Sequence, residues 1–255
     1  MKTMVFFLLA MCLFSSGCQD KSRQTLWQIA PVHNLIQGDY SGKMNYKAVK
    51  KMGDFGIGTF QDIDGELVIL DGHFFQIKSN GHVSEVSDQQ TTPYASLHFF
   101  NADKEVKLRS QETFDVLQAS LAQWVLPDGL VYGIKIRAQC RSIRLRSPRR
   151  QQKPYPALSK VLQTQSIFEP QNVSGTLVGY YSPSFLGRII VPGFHFHFIS
   201  DDGTIGGHVL DLNLEYGTVF FDTLDTVSLK LFQLPEDNKA NHAQESNAQA
   251  IFNGR

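Results

Sequence analysis

The stretch GFHFHFISDDGTIGGHVL, residues 193–210, constrains the fold of this chain more than any other. Phe194, Phe196 and Phe198 alternate with His195 and His197. A helix would scatter these five side chains around its axis. An extended strand sends the aromatic set to one face and the two histidines to the other. The stretch therefore predicts a strand with one face for a core and one face lined with imidazole. Asp202–Gly203 follows, a dipeptide favoured in two-residue type I′ hairpin turns. With the turn placed there, His197 lies directly opposite His208, and opposed residues project on the same face with Cβ atoms about 5 Å apart. A longer loop between Asp201 and Gly207 would move the register while leaving His208 nearby.

Two histidines at alternate strand positions are often no more than a polar face. A third on the neighbouring strand makes a three-nitrogen metal site the better reading, and three histidines with an open position form a known catalytic zinc arrangement. The other five histidines, His33, His73, His82, His98 and His242, join no such constellation and read as ordinary. Cysteine offers no competing ligand set. Of the three, Cys12 falls in an N-terminal apolar run, Cys18 just after it, and Cys140 stands alone. Neither a disulfide framework nor a thiolate site can be assembled, so any metal is held by nitrogen and oxygen. Cupins also carry His-x-His strands, but the carboxylate expected after their second histidine would fall at Asp201, inside the turn.

At 255 residues the chain suits one large domain or two small ones. Its 24 basic and 24 acidic residues cancel, which argues against a general polyanion binder and against nucleic acid as a partner. Lys2, the apolar run from Met4 to Phe14 and the small residues Ser15–Ser16–Gly17 have the form of a secretory signal. The run is too short for a bilayer span, which takes roughly 20 apolar residues. Ser-Ser-Gly-Cys also resembles a bacterial lipobox with Cys18 as the lipidated residue, although Ser15 stands where a branched aliphatic is usual. Either a lipid anchor through Cys18 or a plain cleaved signal predicts export, to the membrane surface or to the periplasmic or extracellular space.

Strand patterns dominate the remainder. Residues 55–60, 64–72 and 74–77 read as three short strands, with turns at Asp64–Gly65 and Asp71–Gly72. Residues 94–100, 131–136, 140–145, 175–181, 193–199, 207–214, 218–221 and 227–232 read likewise. Helices are few: residues 46–51 predict a short one, and apolar residues at 114, 117, 121 and 124 predict another that ends before Pro127. The proline-rich, charged segment PRRQQKPYP, residues 148–156, is the best internal boundary. The expected organisation is a signal or lipobox over 1–18, a tether over 19–26, an N-terminal mixed-sheet domain over 27–155, a C-terminal antiparallel β domain over 156–235 carrying the metal site on its hairpin, and a tail over 236–255. The fold class is α/β in the β-rich, α+β-like sense, with two sheet-based domains and few helices.

Four blocks surround and include the histidines. They are Gly53-Asp54-Phe55-Gly56-Ile57-Gly58-Thr59-Phe60 with Asp64-Gly65-Glu66; Arg146-Ser147 with Arg150-Gln151 and Lys153-Pro154-Tyr155-Pro156; Gly175-Thr176-Leu177-Val178-Gly179-Tyr180; and the histidine block from Val191 to Leu210. In this order the blocks resemble the alpha-acetolactate decarboxylase family. The resemblance implies a Zn2+ enzyme that converts the small molecule 2-acetolactate to acetoin and CO2. It implies His195, His197 and His208 as metal ligands, Glu66 and Arg146 as catalytic residues, Arg146 and Thr59 as substrate-binding residues, and a homodimer formed through the N-terminal sheet. It also implies a glutamate near the C-terminus that reaches the site. Here the tail is shorter than the family's, and Glu245, the nearest candidate, has different spacing.

The residue types suit that chemistry. Losing CO2 from a β-keto acid leaves an electron pair that must be accepted as an enediolate, which a three-histidine zinc stabilises as a Lewis acid through the keto and hydroxyl oxygens. A guanidinium fork matches a carboxylate, and a carboxylic acid delivers a proton. On pattern alone each residue has a plainer reading. Arg146 belongs to a run with Arg137, Arg141, Arg144, Arg149 and Arg150 that equally makes an exposed basic face, with Arg144 and Arg146 on one side by alternation. Glu66 suits a solvated turn, and Thr59 a structural strand position. Two other functions stay open: a non-catalytic exported metal-binding lipoprotein that kept the fold, and another three-histidine zinc lyase.

Overall fold

The computed structural model describes residues 24–108, 112–125 and 129–233. Cys18, the tether up to Arg23 and the tail with Glu245 lie outside the described residues. In chain order the strands begin with β1 (Thr25–Ile29), β2 (Met44–Asn45), β3 (Phe55–Thr59), β4 (Glu66–Leu70), β5 (His73–Ile77), β6 (Val83–Glu85), β7 (Thr91–Thr92) and β8 (Ala95–His98). They continue with β9 (Lys104–Leu108), β10 (Glu112–Thr113), β11 (Val131–Ser147), β12 (Ser166–Phe168) and β13 (Gln171–Ser182). The last three are β14 (Gly193–Ser200), β15 (Gly206–Leu224) and β16 (Thr226–Lys230). Helices α1 (Val32–Ile36), α2 (Tyr46–Val49), α3 (Phe114–Val125) and α4 (Leu158–Leu162) are all short except α3.

One seven-stranded sheet runs β16-β1-β8-β3-β4-β5-β6, antiparallel except for the parallel pair β1–β16. Its centre is the pair of hairpins β3–β4–β5, and β4 joins β5 across Asp71–Gly72, as the dipeptide predicts. The second sheet contains β9 to β15, and its pairings β11–β13, β13–β14, β14–β15 and β15–β11 close on themselves. The closed ring encloses a core of Ile134, Ile136, Leu145, Phe196, Phe198 and Phe221, against which Leu117, Leu121 and Val125 of α3 pack. Burying Phe196 and Phe198 stabilises the fold by about 1.5–3 kcal/mol each. A second core lies between the sheets, where Phe55, Ile57 and Val68 meet Val178, Tyr180 and Ile199. This contact makes the site possible, because it lays the outer face of the closed sheet against the β3–β4 hairpin.

The residues that alternate in sequence form fewer and longer strands than the pattern suggests. Residues 131–136 and 140–145 are parts of one 17-residue strand, β11, with register shifts between Gln139 and Ser142. Residues 207–214 and 218–221 are likewise parts of the 19-residue β15. Long bent strands keep their ladder through a bulge, so a local loss of alternation does not end them. The second sheet draws strands from residue 104 onward, so PRRQQKPYP connects β11 to β12 within one sheet, and β16 returns to the other. Helix α3 buries Leu117, Leu121 and Val125, spaced four apart, and leaves Trp124 44% exposed with Lys104 over its ring. The predicted stripe through Trp124 is therefore rotated by one residue. Sequence periodicity also missed β1, α1, β9 and α4.

His98 reads as ordinary in sequence, and the metal-ligating group among the described residues does not include it. It is nonetheless fully buried. Its Nδ1 lies 2.9 Å from the Tyr180 hydroxyl, which donates to the Phe55 carbonyl, and its Nε2 lies 3.2 Å from Asp222. The Tyr180 hydroxyl thus links β8 and β3 of one sheet to β13 of the other.

Candidate metal centre

The hairpin β14–β15 pairs His197 with His208, the register that the two-residue turn predicts. The loop itself is wider. Ser200 N donates to Ile205 O, so four residues, Asp201 to Thr204, make the connection, with Asp202 Oδ1 accepting from Ser200 and Thr204. Both loops are centred on the same point, and the pairing is unchanged. On its other side His208 is opposed by Arg146 of β11. Arg146, His208 and His197 thus form one row across three strands, with His195 two residues along β14 on the same face.

The three imidazoles converge. Their available ligand atoms all lie within 4.8 Å of one another, and His195 Nε2 is 3.1 Å from His208 Nδ1. His197 Nδ1 lies 2.8 Å from the Leu67 carbonyl on β4. A carbonyl only accepts, so Nδ1 carries the proton and Nε2 is left as the ligand atom, an orienting contact common behind metal-bound histidine. All three rings are buried. Burial pulls the His197 imidazole down to about 3, with the Leu67 bond opposing and Arg146 assisting. Burial and the nearby His197 and Arg146 charges hold His195 well below the usual histidine range. His195 and His197 are therefore neutral lone-pair donors at neutral pH, and His208 stands within reach of both. The donor set fits a divalent metal with a nitrogen preference.

The first sheet supplies the opposite wall. Thr59 and Glu66 are cross-strand partners on β3–β4, and Glu66 Oε2 lies 3.5 Å from His197 Nε2. Burial raises the Glu66 carboxyl to about 7 against the opposing charge of Arg146. The Arg146 guanidinium is pulled down to about 10 by burial while Glu66 supports its charge, so it remains a cation. The Thr59 hydroxyl donates to the Gly65 carbonyl at 2.6 Å and so shapes the turn before Glu66. Arg146 is 1% exposed, whereas Arg137, Arg141, Arg144, Arg149 and Arg150 are all on the surface. Ile143 and Leu145 point into the core of the closed sheet, so Arg144 and Arg146 do share the outward face. Arg144 meets Glu169 at the surface, and the first sheet covers Arg146 alone.

The six predicted side chains, Thr59, Glu66, Arg146, His195, His197 and His208, line one cavity of about 20 Å³, room for about one water. An apolar wall from Leu35, Ile63, Leu158 and Leu162 completes it. Alternation gave no sign of this wall, because α1 and α4 are five-residue helices too short for a readable period. A larger groove of about 650 Å³ near Lys107, Arg137 and Tyr216 contains none of these groups.

The sequence profile of alpha-acetolactate decarboxylase matches residues 26–245 of this chain. The alpha-acetolactate decarboxylase of Methanosarcina mazei is 38% identical over 216 residues, covering 85% of this chain and 74% of that protein. The chain belongs to the alpha-acetolactate decarboxylase family. Its decarboxylase relative from Bacillus subtilis is 33% identical over 219 residues, 86% of each chain. The crystal structure of alpha-acetolactate decarboxylase from Bacillus subtilis strain 168 has a TM-score of 0.85 at 31% identity, covering 90% of this chain and 98% of that one. A Staphylococcus aureus protein of unknown function, described as similar to alpha-acetolactate decarboxylase, reaches 0.79 at 26% identity, covering 89% and 97%. The β-rich fold with few helices is thus that of a decarboxylase, a carbon–carbon lyase acting on a small molecule, and three buried histidines in it are able to hold a metal ion.

Proposed function

We propose that this chain decarboxylates 2-acetolactate to acetoin and CO2 in a zinc-dependent reaction at the cavity between the two sheets. The observation that carries the reading is the single row Arg146–His208–His197, with His195 beside it, lining one cavity with Glu66. His195, His197 and His208 would hold the ion, and three neutral ligands leave its full charge available. Bound zinc supplies Lewis acidity next to the oxygens on which the reaction develops negative charge.

The chain's own groups do the rest. Arg146 is a fixed planar cation, and its fork orients the substrate carboxylate so that the bond to be broken stands across the ketone's π system. Breaking that bond releases CO2 and leaves its electron pair conjugated with the ketone. Glu66 is buried beside the ligand row with its carboxyl raised to about 7, so at neutral pH it is poised between its two forms and can deliver a proton to the carbon that lost CO2. The apolar wall of Leu35, Ile63, Leu158 and Leu162 would face the substrate's methyl groups. Zinc-replete protein should form acetoin from racemic 2-acetolactate, and chelation should abolish it. No acetoin from zinc-replete protein overturns the reading. A His197→Ala variant with full metal content overturns the ligand assignment.

A further inference from the structure

The segment PRRQQKPYP holds three side chains or backbone groups that converge on one residue, Asp62. Arg150 Nε and Nη2 donate to Asp62 Oδ2 at 3.0 and 2.6 Å, and the Tyr155 hydroxyl donates to Asp62 Oδ1. Gln151 N donates to the Asp62 carbonyl at 2.8 Å, while Asp62 N donates to the Tyr40 carbonyl at 2.8 Å. Asp62 thus uses its backbone donor, its backbone acceptor and both carboxylate oxygens. It does so in a left-handed conformation, φ 63°, followed by Ile63 at φ 50°. Positive φ is uncommon for Asp and an outlier for a β-branched residue, and persists only where the surroundings enforce it.

The position of this knot is telling. Ile63, the next residue, forms part of the apolar wall, and Glu66 begins β4 just beyond. On the other side, Pro148 lines the same cavity between Arg146 and Arg150. Tyr155 also packs on Tyr40, whose hydroxyl donates to the Pro156 carbonyl. The bonds therefore join the turn that leads into Glu66 to the segment that leaves Arg146, across the edge of the cavity.

We infer that Asp62 is a positioning residue for this reaction, locking the Glu66 turn to the segment after Arg146 so that the two side chains are held at a fixed separation. The inference rests on the reading of the site given above. It explains why an Arg-Gln pair and a Pro-Tyr-Pro run follow Arg146: Arg150, Gln151 and Tyr155 are the three contacts from that segment to Asp62.

The test uses the zinc-loaded full chain and three variants, Asp62→Gly, Asp62→Asn and Tyr155→Phe. Glycine relieves the backbone but removes the carboxylate. Asparagine tolerates the left-handed conformation and still accepts hydrogen bonds without charge. Positioning predicts that Asp62→Gly lowers kcat about tenfold or more while zinc content is unchanged, because small misplacements at a reacting pair are costly. Asp62→Asn should recover part of the loss, and Tyr155→Phe should add nothing in the Asp62→Gly background. Trypsin reads the lock without activity: cleavage after Arg149 and Arg150 should accelerate in Asp62→Gly. Unchanged cleavage overturns the lock. Faster cleavage with wild-type kcat and KM overturns the positioning role. Absence of acetoin from the wild-type chain refutes the function instead and with it the role of Asp62, while cleavage still decides the lock.

Discussion

Gly207 is the position at which one added carbon should disturb the site most directly. It precedes His208, has φ +145°, and a Cβ there would lie 2.6 Å from the Arg146 carbonyl oxygen and 3.3 Å from Leu145 Cβ. Ordinary contact begins at 3.4 Å, so Gly207→Ala must push β15 and β11 apart by nearly the difference, against backbone that cannot rotate away. The strained φ costs about 1–3 kcal/mol, and forcing an extra carbon into packed structure costs a similar amount, typically about 1–3 kcal/mol. A total near 3 kcal/mol should lower Tm by roughly 6–12 °C. The displaced row is the one that carries Arg146 and His208, so kcat/KM should fall by about 10²-fold, the scale expected for a misplacement approaching 1 Å. Gly203→Ala is the control. It also has positive φ, +68°, but no atom within 4 Å of the added carbon, so it should lose only about 1–2 kcal/mol and keep its kinetics. Thermal melts, zinc content and initial rates of acetoin formation are the measurements. If Gly207→Ala matches Gly203→Ala in both Tm and kcat/KM, crowding at the Arg146 carbonyl does not matter and the argument fails.

Two further outcomes follow from the charges. Arg146→Lys keeps a cation beside Glu66 but loses the planar fork, so steady-state kinetics should show kcat/KM reduced by about 10²-fold with zinc content preserved; wild-type kinetics would remove the forked contact from the mechanism. Asp62 bears on acid stability. Partial burial raises its carboxyl, but hydrogen bonds from Tyr155 and Arg150 outweigh this and hold it below the usual aspartate range. The unfolded chain therefore takes up that proton first, and the stabilisation, present above the unfolded pKa, is lost as pH falls through the folded one. The Tm gap between wild type and Asp62→Asn should be larger at about pH 6 than at about pH 3, and an equal gap at both would refute the linkage.

Much of the site was legible because it depends on local geometry. The alternation of Phe and His needs only the two-residue period of a strand, and the Asp-Gly loop centres the hairpin whether it spans two residues or four. His195, His197 and His208 follow from those two facts. Arg146 did not. Alternation places it with Arg144 on an outward face, and nothing in residues 137–150 says which arginine another sheet will cover. Glu66 was equally undetermined by pattern, since a glutamate after Asp-Gly is soluble turn chemistry until its strand is laid against β14. The family resemblance supplied both residues; the packing supplies the reason.

The sequence by itself determined many of the strand segments and the histidine row, because periodicity and turn chemistry act over a few residues. Only the tertiary structure decided that one arginine of six and one glutamate become buried partners, that α1 and α4 close an apolar wall, and that Asp62 gathers a segment nearly ninety residues away. Those outcomes depend on which faces of two sheets meet, and desolvation, the force that changes what a charged side chain does, exists only once they have met.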